Sequence, residues 1–169
     1  ELGLRVGPIL LFVVAITVVA ELSDAIGLFV LVARWAAVLG RGSVLGLWFL
    51  IVLLASVATA VLSLDTTAVL LTPVVLVLAR RLALSEELFA FTAVWLANTA
   101  SLILPVSNLT NLLAAGRFRA GGVSFTATMW APALVIWAVT VAVLALVFRA
   151  RLRGRYQVPT SFPSEDRVL

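Results

Sequence analysis

Five apolar stretches fill this chain, and they leave its backbone few choices. They run from Pro8 to about Ala33, Val44 to Leu62, Thr66 to Leu82, Glu86 to about Ala115, and Val123 to Phe148. A helical crossing of a bilayer needs about 20 residues. Hydrocarbon cannot hydrogen-bond an exposed peptide group, so such segments must satisfy their own N–H and C=O groups as helices. The chain is 63% hydrophobic and 12% charged, which fits an integral membrane protein better than a soluble core. The expected fold is all-α and membrane-embedded, with residues 1–150 in the bilayer and 151–169 as a cytoplasmic loop or linker.

One of these stretches is interrupted. Residues 98–111 read Asn98-Thr99-Ala100-Ser101-Leu102-Ile103-Leu104-Pro105-Val106-Ser107-Asn108-Leu109-Thr110-Asn111. Pro105 has no N–H and crowds the preceding turn, so the helix over 86–115 is expected to break near it. Broken backbone at membrane depth survives where it faces protein or a wet cavity, and transporters use it to gather helix ends and freed carbonyls around a solute. The carbonyls of Ile103 and Leu104 are expected to be freed, beside Asn98, Thr99, Ser101, Ser107, Asn108, Thr110 and Asn111. A kink alone does not need seven polar side chains. This set suits a neutral hydroxylated solute or a small cation.

A second polar point lies in Ser63-Leu64-Asp65, which separates the stretches 44–62 and 66–82. A turn this short favours a re-entrant hairpin over 44–82; two full spans would have the same parity. Asp65, with Ser63, Thr66 and Thr67, is placed to cap the following helix and to stand at the edge of a cavity. Both roles can hold together. Glu21 and Asp24, three residues apart in the first stretch, share a helix face. Carboxylates at that depth carry protons or cations, cap a local break such as one ahead of Gly27, or pair with an arginine elsewhere in the protein. Asp65 joins them as a proton-carrying candidate.

All twelve basic residues are arginine. Positive charge favours cytoplasmic loops. Arg34, Arg41, Arg80, Arg81, Arg149, Arg151, Arg153 and Arg155 fall on one side, and Arg5, Arg117 and Arg119 on the other. This predicts a multi-pass protein of the plasma membrane, N-terminus outside and C-terminus cytoplasmic. The balance of +4 therefore reports topology and contact with membrane lipid rather than nucleic-acid binding. Trp35, Trp48 and Trp130, near expected helix ends, fit an interfacial belt, and Trp95 and Trp137 fit packing positions. Ser85-Glu86-Glu87 reads as an N-cap with acids in the first turn.

Enzyme signatures do not occur. There is no nucleophile elbow and no phosphate-binding loop. With no Cys and no His, neither a disulfide nor a thiolate or imidazole metal site can form. No cofactor or resident metal is expected. The chain opens at Glu1 without a leader-like segment, and reads as an internal fragment of a longer protein.

Three stretches together resemble the arsenical pump membrane protein family, the arsenite and antimonite permeases of the ion transporter superfamily. They are Ala20-Glu21-Leu22-Ser23-Asp24-Ala25-Ile26-Gly27-Leu28-Phe29, Leu64-Asp65-Thr66-Thr67-Ala68-Val69-Leu70-Leu71-Thr72-Pro73, and Asn98 to Asn111. The resemblance implies the N-terminal half of such a transporter, with a C-terminal inverted repeat completing the site. It also implies export of arsenite or antimonite, driven by protons or by a soluble ATPase partner. Asp65, Asn98, Ser107 and Asn108 would line the site. Without cysteine, this part would recognise the neutral trihydroxide by hydrogen bonds. Relatives in the superfamily often carry Asn ahead of the hairpin Asp; Leu64 stands there here. Two other readings remain: a sodium-coupled carrier of dicarboxylates or other anions, and a non-transporting membrane scaffold subunit.

Overall fold

The computed structural model describes residues 25–158 throughout, and residues 11, 14, 15, 18, 19, 21 and 22 ahead of them. The elements named among the described residues are all helical. Helix α1 covers Leu28–Leu39 and follows Gly27, whose φ of 72° only glycine adopts without strain. The described residues ahead of it, 11, 14, 15, 18, 19, 21, 22 and 25, are helical as well, so the apolar run is divided at Gly27. Helix α1 also continues beyond Ala33 to Leu39, passing Arg34, because one arginine does not stop a helix that still buries Ala33, Ala36 and Ala37. Gly40 ends it, its N–H donating to the Ala36 carbonyl at 2.9 Å.

Helix α2 is Val44–Val61, started by Ser43, whose hydroxyl accepts from the Gly46 N–H at 3.3 Å. Its buried face carries Val44, Leu47, Trp48, Ile51, Val52, Ala55 and Thr59. Leu45, Phe49, Leu53, Val57 and Val61 are exposed on the other. A helix apolar on both faces is at home only in hydrocarbon or a large core. After a helical turn, Leu64–Thr66, the chain winds as a π-helix over Thr67–Leu71 and then as α3, Thr72–Arg81. Helix α4 is Glu86–Thr99, capped by Ser85, whose hydroxyl accepts from the Leu88 N–H at 3.4 Å. Two 3₁₀ turns follow, Ala100–Leu102 and Pro105–Ser107, then α5, Leu109–Ala120, and α6, Phe125–Val147. Helices α2 and α6 are each long and apolar enough to cross a bilayer.

Helix α4 lies at the centre, packed against α2, α3 and α6. Two tryptophans tie the bundle across it. The Trp48 indole N–H donates to the Thr92 hydroxyl, and the Trp137 indole N–H to the Ser56 hydroxyl, both at 2.8 Å. Trp48 is 2% exposed, so it is a core residue and not part of an interfacial belt: the Thr92 hydroxyl gives its N–H the partner that would otherwise be headgroup or water.

The tail also departs from the expected loop. Residues 149–152 form a helical turn, and the chain beyond it docks onto the α1–α2 loop. The Val44 N–H donates to the Gly154 carbonyl at 3.2 Å, and the Tyr156 N–H to the Gly42 carbonyl at 2.9 Å. The buried Tyr156 hydroxyl donates to the Ala37 carbonyl at 2.5 Å. Arg151 binds the Glu87 carboxylate at 2.6 Å, contacts the Ser85 hydroxyl, and lies 5.6 Å from the centre of the Phe148 ring. Arg80 pairs with Glu86 at 2.8 Å. The loops carrying most arginines thus gather at one end of the bundle. Arg117 and Arg119 lie near the start of α6, at its other end, where Phe118 meets Phe125 edge-on.

Candidate functional site

The turn at Ser63–Thr67 and the interruption at 100–108 meet at one end of α2. Ser107 makes the link. Fully buried, its hydroxyl lies 3.1 Å from the Ala60 carbonyl, in the last turn of α2, and 3.0 Å from the Leu104 carbonyl. The turn itself packs on α4. Two segments far apart in the chain are thereby joined through backbone acceptors at a helix end.

Within the turn, Ser63 and not Asp65 is the cap. The Ser63 hydroxyl accepts from the Thr66 N–H at 3.2 Å and donates to the Thr66 hydroxyl at 3.0 Å, and the Thr67 hydroxyl donates to the Ser63 carbonyl at 3.1 Å. Capping by serine leaves the Asp65 carboxylate exposed in the first turn, with no hydrogen bond or ion pair to the described residues. Thr67 is fully buried.

Around the interruption the polar side chains divide into staples and free groups. The Asn111 side-chain N–H group donates to the Ser101 carbonyl at 2.6 Å and lies 3.4 Å from the Leu104 carbonyl. Asn111 thus closes the interruption on itself. The Ser101 hydroxyl donates to the Asn98 carbonyl at 2.6 Å, and the Thr99 hydroxyl to the Trp95 carbonyl at 2.9 Å. The Leu104 carbonyl, expected to be free, accepts from the Ser107 N–H at 3.3 Å as well as facing Ser107 and Asn111 side chains. The polar residues after the proline supply the donors that the proline removed.

Asn108 caps α5, its side-chain oxygen accepting from the Thr110 N–H at 3.0 Å; its amide N–H group makes no bond to the described residues. Asn98 is exposed and donates to the Val94 carbonyl at 2.9 Å, leaving its side-chain oxygen unused. Asp65, Asn98 and Asn108 therefore keep polar atoms without a partner among the described residues, and Thr110 is exposed. No hydrogen bond or ion pair joins Asp65 to residues 98–111. Glu21 is exposed, and Asp24 lies outside the described residues.

A cavity of about 390 Å³ opens beside the interruption, lined by Pro105, Ala115, Arg119, Val123, Ser124 and Thr126 among others. Sequence reasoning assigns Arg119 to topology alone. Its place in this cavity depends on how α5 folds against the start of α6, for which no local pattern is a signal.

A protein-family model described as a citrate transporter (CitMHS) matches residues 5–168. The arsenical pump membrane protein of Yersinia enterocolitica is 34% identical over 152 residues, covering 86% of this chain and 34% of that protein. The arsenical pump membrane protein of Escherichia coli K12 is 32% identical over the same shares. An uncharacterized transporter of Mycobacterium tuberculosis is 28% identical over 141 residues, 83% of this chain and 32% of that protein. This chain spans about a third of the length of these curated relatives. No solved structure matches it.

Proposed function

The chain belongs to the CitMHS citrate transporter family, and from that premise we propose that it forms part of a secondary transporter exporting arsenite or antimonite across the plasma membrane. The observation that carries this reading is the Ser107–Ala60 hydrogen bond. It holds the polar interruption of α4 and α5 against the end of α2, next to the turn that bears Asp65. The free donors and acceptors there belong to Asn98, Asn108 and Asp65, and a neutral trihydroxide needs both kinds. Cysteine plays no part in this segment, so recognition is by hydrogen bonding. The rest of the full-length protein supplies the other wall of the site.

Asp65 is the proton carrier in this proposal, since its carboxylate is exposed beside the site and unpaired. The arginine-rich end faces the cytoplasm, where it meets anionic lipid and could receive a soluble ATPase partner. A re-entrant hairpin is supported by the Trp137–Ser56 bond. From Ser56, α2 has about 8 Å left to Val61, whereas α6 extends about 18 Å from Trp137 back to Phe125 at 1.5 Å per residue. For near-parallel axes, α2 itself ends about 10 Å short of the start of α6.

A second reading, sodium-coupled transport of a carboxylate or other anion, is favoured by Arg119 in the cavity beside Pro105. Everted vesicles carrying the full-length protein separate the two. Arsenite accumulation driven by an imposed proton gradient, independent of sodium, is expected, falling at least tenfold in Asp65→Ala and Asn108→Ala. Sodium-dependent carboxylate movement without arsenite accumulation would give the function to the second reading.

A further inference from the structure

Thr72 departs from a pattern that five other hydroxyls of the bundle keep. Ser56, Thr59, Thr67, Thr92 and Thr99 each donate their hydroxyl to the carbonyl four residues back, at 2.7 to 3.1 Å. Among the described residues, the Thr72 hydroxyl oxygen is the buried side-chain polar atom that has no hydrogen bond. The carbonyl four residues back from it belongs to Ala68, inside the π-helical stretch Thr67–Leu71. In π winding a carbonyl receives the N–H five residues on. Five residues on from Ala68 is Pro73, which has no N–H to give. One winding thus strands a buried donor and its natural acceptor together.

Rewinding this stretch as α-helix would satisfy both. The Ala68 carbonyl would then accept from the Thr72 N–H and hydroxyl. The exchange is not free: in α winding it is the Val69 carbonyl that faces Pro73, which has no N–H to give and crowds it, so each winding leaves one group unpaired. The change also moves the turn upstream. One residue of register is about 100° of rotation around a helix axis, and the rotated turn carries Asp65 and Thr66.

We propose that Thr72 is a positioning residue that sets the register of the π-helical stretch Thr67–Leu71, and through it the direction in which Asp65 and Thr66 face. The π-wound state leaves Asp65 exposed as observed. The α-wound state, held by the Thr72 hydroxyl, turns it relative to α3 and to the interruption on α4. Alternation between the two would gate the site. The role of the turn in transport rests on the function proposed above; the register change itself does not.

The test uses the full-length protein in liposomes, with spin labels on Leu64→Cys and Val77→Cys, which bracket the stretch, and any native cysteines replaced. Pulsed dipolar spectroscopy is expected to give two label distances. Deleting Leu70, which removes the extra residue of the π stretch, should leave one of them. Thr72→Val should deplete that same distance at least threefold, and Thr72→Ser, which keeps the hydroxyl, should restore it. A distribution that Thr72→Val leaves unchanged, or that Thr72→Ser does not restore, overturns the proposal. Arsenite flux is measured in parallel, with a loss of at least tenfold expected in Thr72→Val and recovery in Thr72→Ser. If the unmodified protein moves no arsenite while the distances respond to Thr72, the substrate assignment fails and the register switch stands.

Discussion

Trp48 and Thr92 illustrate what a single polar contact does inside an apolar bundle. The Thr92 hydroxyl serves twice, donating to the Leu88 carbonyl at 2.7 Å and accepting from the Trp48 indole at 2.8 Å. Thr92→Val therefore strands a buried indole N–H, a loss of about 1–3 kcal/mol. Adding Trp48→Phe to that variant should cost less than the same change in the unmodified protein, with a coupling of about 0.5–3 kcal/mol. Unfolding of the four proteins in detergent measures it, and additive losses would mean the bond contributes nothing. At this scale the sequence is partly legible. Ser85 is readable as a cap because capping is settled within three residues, whereas the turn at 63–65 offers Ser63 and Asp65 alike and the structure uses Ser63. Trp48 is not readable, because its partner lies 44 residues away.

Among the elements, the tail and the α1–α2 loop form a clasp that depends on two glycines. A Cβ on Gly42 would lie 2.9 Å from the Tyr156 carbonyl oxygen, and its φ is +77°. One on Gly40 would meet the Tyr156 hydroxyl at 2.5 Å and the Leu47 backbone nitrogen at 3.0 Å. Gly42→Ala should thus destabilise the protein by about 1–3 kcal/mol, seen as a lower melting temperature. The clasp should also open with alkali. Burial raises the Tyr156 phenol above its ordinary value of 10.0, outweighing a smaller lowering from the Gly42 backbone. An acid whose folded value is raised lends stability that is complete below the unfolded value and lost as pH climbs through the folded one. The melting temperature should therefore fall above about pH 10 more steeply in the unmodified protein than in Tyr156→Phe. Identical pH profiles would remove Tyr156 from the account. The docked tail is invisible to local reading because a Gly-Arg-Tyr run after an arginine cluster looks like any exposed connection.

For the molecule as a whole, the open geometric question is how deep the Ser63–Thr66 turn lies. A re-entrant hairpin predicts that Ser63→Cys reacts with a water-soluble maleimide at least tenfold more slowly than Val123→Cys, which stands exposed beside the start of α6. Arsenite should slow Ser63→Cys further and leave Val123→Cys unchanged. Equal rates at the two positions would mean that α2 and α3 both cross the bilayer. The measurement is made on the full-length protein without native cysteines.

The sequence alone determined the helical class, since apolar runs of this length have no other way to satisfy their backbones. It also marked the Asp65 turn and the polar stretch around Pro105, because Pro105 and the Ser and Asn around it act within a few residues of themselves. Only the tertiary structure decided which polar groups are spent and which are free. Ser107 and Asn111 are consumed by the Ala60, Leu104 and Ser101 carbonyls, while Asn108 keeps its amide N–H group and Asp65 its carboxylate. The physical reason is distance along the chain. A cap or a proline break is a local event, whereas a hydroxyl's partner in hydrocarbon is whichever acceptor packing brings to it.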